Sequence, residues 1–128
     1  MLNLDTHVFL FAIAGELTHR EHALLIKHPW SISAIVLWEI EKLSQGGRID
    51  VDLATPEIAN ALRHTRVWPI ETAIARASTR LDVRSDPADE LIGATSIVHQ
   101  VPLLTRDRRL RASKLIPLAR PIYSSPGP

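Results

Sequence analysis

Four carboxylates in this 128-residue chain stand where acidic chemistry is feasible. Asp5 closes the apolar run at residues 1–4 and precedes a helical stretch, and Asp107 follows Leu103-Leu104-Thr105 in the same way. In an open parallel sheet such positions lie at the carboxyl ends of strands, where ligands bind. Each equally suits a helix N-cap, whose oxygen satisfies orphan N–H groups at the positive dipole end. Glu39 is different. On a helical wheel it falls between Ile35 and Leu43, inside an apolar arc shared with Val36, Leu37 and Ile40. A carboxylate aimed at a core must be paired, metal-bound or neutralised. Its bland alternatives are an ion pair with an arginine or a side chain bent out to water.

Asp89 lies in Ser85-Asp86-Pro87-Ala88-Asp89-Glu90. Asp86 before Pro87 reads as a helix start, with Asp at the cap and Pro in the first helical position. As the third helical residue, Asp89 could merely reach back to the cap backbone. Its face, however, continues through Gly93 and Ser96, whose small side chains leave room for a metal, a phosphate or a close-packed neighbour. Grouped at one sheet edge, the four acids would repel and carry raised pKa values unless a cation sat among them. Oxygen donors in a chain without cysteine select Mg²⁺ or Mn²⁺ over zinc.

The elements that must position these acids alternate along the chain. Apolar runs of strand length occur at 1–4, 30–33, 67–70, 102–104 and 116–122. Helical spacing fills 7–14, 20–27, 34–45, 56–64, 71–80 and 87–99. The expected fold class is α/β: a central, mainly parallel sheet of about five strands with helices on both faces. Length allows one domain, placed at 1–123, with a turn-rich tail at 124–128. Hydrophobic residues are 45% and charged residues 23%, the balance of a globular chain. Asp5 interrupts any signal-peptide reading and no apolar run spans a membrane, so a cytoplasmic location is expected.

Net charge is +1, yet from Val101 onward Arg106, Arg108, Arg109, Arg111, Lys114 and Arg120 face the single acid Asp107. That excess suits a polyanion, and it equally describes a solvated basic surface. The chain has neither a Gly-x-Ser-x-Gly elbow nor, with five glycines, a Gly-rich phosphate loop. Its six histidines are scattered, and His19 and His22 alone share a helical spacing.

The ordered set Leu4-Asp5-Thr6-His7, Ser33-Ala34 leading to Trp38-Glu39-Ile40, Gly47-Arg48-Ile49, Asp86-Pro87-Ala88-Asp89 with Leu91-Ile92, and Leu104-Thr105-Arg106-Asp107 resembles a PIN domain. More narrowly it is similar to the VapC toxins of bacterial type II toxin–antitoxin pairs. The resemblance implies a PIN-like α/β/α sandwich and an acidic metal site that cuts RNA. Carried over by position, Asp5, Glu39, Asp89 and Asp107 form the acidic cluster, the three aspartates hold Mg²⁺ or Mn²⁺, and Thr6 and Thr105 are supporting hydroxyls. Two positions depart from the family pattern: Arg84 stands where a histidine is frequent, and Phe11-Ala12 where a tryptophan often occurs.

On this reading the chain is a metal-dependent endoribonuclease toxin that cleaves RNA with an activated water. Arg106, Arg108, Arg109 and Arg111 would meet substrate phosphates, which position an RNA without reading it. The resemblance also implies inhibition by a small antitoxin protein and a homodimer, with residues 34–43 or 56–62 supplying its interface. The alternatives are a non-catalytic RNA- or protein-binding module on the same scaffold, or a receiver-like phosphoacceptor. The latter needs an adjacent acid pair where this chain offers Asn3 and Asp5.

Overall fold

A computed structural model describes residues 1–120. Strand and helix alternate as β1 (Leu2–Leu4), α1 (Thr6–Ala14), α2 (His19–Leu25), β2 (Trp30–Ser33), α3 (Ala34–Gln45), α4 (Pro56–Arg63), β3 (Thr65–Trp68), α5 (Thr72–Ser78), α6 (Pro87–His99), β4 (Leu103–Leu104) and α7 (Arg108–Arg111). The four strands form one parallel sheet in the order β3-β2-β1-β4.

The side-chain period of two assigns each strand residue to a layer. Asn3 pairs in register with Ser31 and Leu103, so these three share one face. The Asn3 amide donates to the Ile92 carbonyl and the Ser96 hydroxyl, which puts α6 on that face. Leu2, Leu4, Trp30, Ile32 and Leu104 turn the other way. The Trp30 indole donates to the Leu25 carbonyl at 3.0 Å, which puts α2 on the second face. With both faces covered, the polar residues of the central strands, Asn3, Ser31 and Ser33, are buried as well, and the Ser31 hydroxyl donates to the Leu2 carbonyl at 3.0 Å. Leu4, Val8, Phe9, Ile32, Val36, Ile40, Ile92 and Leu110 make the heart of the core.

Three expectations are adjusted. Over its described residues, 116–120, the fifth apolar run contributes one parallel bridge, Leu103 to Leu118, and no strand. Pro117 lacks the N–H a ladder needs, and only its carbonyl is used, accepting from Leu103 at 2.8 Å. The third strand begins at Thr65, ahead of the expected 67, and ends before Pro69. The small-residue face of α6 is filled by neighbours: a Cβ on Gly93 would stand 2.7 Å from Ile116 Cδ1, and Ser96 is engaged by Asn3. The tail at 124–128, like the end of the 1–123 domain, lies outside the described residues. Among the described residues, no helix is long and apolar enough to cross a membrane.

Candidate active site

The four acids enter from different elements, each tied to a group of its own. Asp5 leaves β1 and N-caps α1 in extended backbone conformation. Its Oδ1 accepts from the Val8 N–H at 2.8 Å, and its Oδ2 accepts from the Thr105 hydroxyl. Capping therefore uses one oxygen only. The side chain is buried, and burial pushes its carboxyl above the usual range. The bonds from Thr105 and Val8 work against that shift, while the Asp107 charge adds to it.

Asp107 N-caps α7, its Oδ1 accepting from Arg109 and Leu110 N–H at 2.8 and 3.1 Å. Its own N–H donates to the Thr105 oxygen at 3.0 Å. Thr105 thus donates to one acid and accepts from the backbone of the next, joining the ends of β1 and β4. Glu39, half-buried on α3, accepts from the Thr6 hydroxyl in the first turn of α1. A hydroxyl therefore stands where an arginine partner was the alternative.

Asp89 sits in the first turn of α6 and accepts from the Ser85 hydroxyl at 3.3 Å. The backward reach to the segment before the helix belongs to its neighbour, since Glu90 accepts from the Ser85 N–H at 3.2 Å. Asp89 is therefore released from a capping-box role. Its carboxyl is pushed up to about 6, first by burial and then by the charges of Glu39, Asp107 and Asp5, with Ser85 opposing. The four acids thus share one field. They do not form a closed ligand shell: among the described residues, no three His, Cys, Asp or Glu side chains make a group that could hold a metal ion.

A PIN-domain model matches residues 3–114, nearly the whole described chain. The chain belongs to the PIN-domain family. Ribonuclease VapC22 of Mycobacterium tuberculosis is 35% identical over 119 residues, covering 87% of this chain and 90% of that protein, which places this PIN domain with the VapC type. Among solved structures, the DNA-bound VapBC of Salmonella typhimurium superposes with TM-score 0.72 at 17% identity, over 93% of this chain and 98% of that one. VapBC2 of Rickettsia felis, bound to a fragment of its promoter, gives 0.71 at 18% identity with the same coverage. These two likenesses establish the fold.

Around the acids of this PIN domain the expected arginines divide. Arg108, Arg109 and Arg111 are exposed on α7 with no ion pair among the described residues. Arg106 points elsewhere. Its Nε and Nη2 donate to the two oxygens of Glu21 at 2.9 and 2.6 Å, and its guanidinium lies 4.3 Å from the Phe11 ring centroid. In this structure the fork expected to meet a phosphate meets a carboxylate. Arg106 in turn holds the Glu21 carboxyl below its usual range.

Two participants escape sequence reasoning. By sequence Ser85 is only the residue before a helix cap, and Glu21 only part of a surface helix. Thr18-x-x-Glu21 does carry a readable signal, the capping-box pattern, and the box forms. Nothing in it announces Arg106.

Proposed function

We propose that this PIN domain is a Mg²⁺- or Mn²⁺-dependent endoribonuclease, the toxin of a toxin–antitoxin pair. The observation that carries the reading is Asp89, a half-buried carboxyl driven to about 6 by burial and by three other acids. Such a site is unfavourable as it stands, and a divalent cation relieves it. The donor set fits a hard ion, since every candidate ligand atom is oxygen. The VapC22 relative is named a ribonuclease, which supports RNA as the substrate class.

In this reading Asp5, Asp89 and Asp107 hold the ion, and Glu39 completes its surroundings or orients the attacking water. When bound, the ion supplies charge neutralisation at the phosphate and makes a water more acidic. Thr105 fixes Asp5 against the 105–107 turn, and Thr6 fixes Glu39 against α1, which limits the rotation of these two acids. Attack by water in line with the leaving oxygen does not use the ribose hydroxyl as nucleophile. Arg108, Arg109 and Arg111 meet flanking phosphates, which draw the strand to the site without specifying its sequence.

A small antitoxin is the proposed partner. An apolar groove of about 420 Å³ begins at His7, beside the acids, and runs past Leu10, Phe11, Ile49 and Ile58. A segment laid in it, carrying an arginine toward the carboxylates, would block RNA and metal together. A solved structure of the same fold, from Klebsiella pneumoniae, is described as a toxin–antitoxin complex, which supports that partner. A homodimer through residues 34–43 is supported by Trp38, 55% exposed on α3. A cytoplasmic location accords with an RNA target.

Purified protein incubated with RNA tests the reading. Cleavage is expected with Mg²⁺ or Mn²⁺ and is expected to stop with excess chelator or with Asp89→Asn. RNA left intact under every condition, or cut equally in all three, contradicts it.

A further inference from the structure

We propose that Glu21 and Arg106 are a positioning pair that holds the 105–107 turn against α2 and thereby sets the geometry of the acidic site. The inference rests on the RNA-cleaving function proposed above and adds two residues to it.

Arg106 is the one residue between Thr105 and Asp107. Its neighbours face the acids: Thr105 donates to Asp5, and the Asp107 carboxylate caps α7 within the field of Asp5 and Asp89. Arg106 turns away to α2. Its guanidinium makes four contacts to three groups. Nε meets Glu21 Oε2, Nη2 meets Glu21 Oε1, Nη2 also meets the Glu16 carbonyl at 3.2 Å, and the Phe11 ring covers its plane. A planar fork held by two oxygens and a ring has one orientation, which a lysine in its place could not reproduce.

The other half of the pair is equally fixed. Glu21 is buried, its side chain 8% exposed, and its Oε1 also accepts from the Thr18 N–H at 2.9 Å while the Thr18 hydroxyl caps the helix. An exposed ion pair between mobile side chains contributes little. This one joins a capped helix to a turn 85 residues away, and although the Arg106 side chain is 40% exposed, Glu21, the Glu16 carbonyl and the Phe11 ring restrain it together. Releasing it frees the turn that carries a supporting hydroxyl and an acid. A shift of about 1 Å at a reacting centre is enough to cost on the order of a hundredfold in rate.

Glu21→Gln and Arg106→Gln in the full chain test this, with Arg63→Gln on α4 as control. Hydrogen exchange is read at the Arg109 and Leu110 amides, which are bound to Asp107 Oδ1. RNA cleavage with Mn²⁺ is read as kcat and KM separately. Both variants are expected to exchange about tenfold faster at these amides, a local opening rather than unfolding. Both are expected to lose about ten- to a hundredfold in kcat with KM within about twofold, the control being unchanged. Unchanged exchange in both variants overturns the proposal. So does a loss confined to KM and to Arg106→Gln, which would make Arg106 a phosphate contact. Should Arg106→Gln fail to fold, Glu21→Gln decides, because glutamine still serves the capping box. If the unmutated protein cuts no RNA, the proposed function fails while the exchange measurement still decides this pair.

Discussion

The Thr105 hydroxyl donates to Asp5 across 100 residues of sequence, tying the end of the central strand β1 to the end of the edge strand β4. Because Thr105 also accepts from the Asp107 N–H, one hydroxyl sets two acids relative to each other. Thr105→Val keeps the shape and removes the bond. Asp5 then stays buried with less to oppose the upward push on its pKa. The expected cost is about 1–3 kcal/mol in urea unfolding at neutral pH, shrinking as acid protonates Asp5. A cost that grows toward acid pH would contradict this role.

Asp89 gives a pH prediction with a definite sign. Its folded-state value of about 6 stands above the usual 3.8, so the native state binds the proton more tightly than the unfolded chain. Ionisation therefore destabilises the fold: stability is lost as pH rises through the window from about 4 to about 6. Asp89→Asn is expected to be more stable than the unmutated protein at pH 7, by on the order of 1 kcal/mol once solvent screening is allowed for. The two should converge below about pH 4. Thermal unfolding across that range, in chelator, checks it, and a difference independent of pH would be contrary.

At metal concentrations below saturation, RNA cleavage is expected to fall as pH drops through about 6, because the protonated Asp89 is a poor ligand. Raising Mn²⁺ should move that midpoint down. A midpoint indifferent to metal concentration would separate Asp89 from the ion.

The exposed arginines of α7 are expected to act through charge alone. Arg108→Gln with Arg109→Gln should weaken RNA binding uniformly across sequences and reduce the slope of log affinity against log salt by about 0.7 for each phosphate left without its arginine. Filter binding with Asp89→Asn as background measures it. An unchanged slope would place the RNA elsewhere.

Gly93 tests the packing behind the site. A Cβ there would press on Ile116 Cδ1, the far end of a flexible side chain, so Gly93→Ala should be tolerated, since alanine's higher helix propensity offsets the crowding. Gly93→Val should cost about 1–3 kcal/mol through overpacking. Denaturant midpoints decide, and a neutral valine would show that α6 can move off the 113–116 segment.

The alternation of strand and helix is legible in the sequence because short runs rich in apolar residues alternate with longer stretches of helical spacing, and the buried Asn3, Ser31 and Ser33 interrupt those runs without ending them. Leu2–Leu4 and Trp30–Ser33 emerge at or within a residue of their expected bounds for that reason. The run at 116–122 misleads over its described part: Pro117 withholds a donor, and among residues 116–120 Leu118 alone bridges. The acids are legible one by one from their positions after strands, at a helix start or on an apolar arc. Their hydroxyl partners beyond Thr6 and Thr105 are not. Ser85 is four residues from Asp89, within ordinary helix-start chemistry, and Glu21 meets Arg106 through tertiary structure that no spacing encodes. Arg106 shows the limit most plainly, since a charge count cannot tell a free guanidinium from a paired one.

The convergence of the acids on a divalent ion is tested most directly by Mn²⁺ titration watched through paramagnetic broadening of backbone amide resonances. Broadening should centre on residues 5–6, 89 and 105–107, fall off with distance from them along β1, α6 and β4, and be lost or greatly weakened in Asp89→Asn. Broadening centred on another surface, or untouched by that substitution, would contradict the assignment.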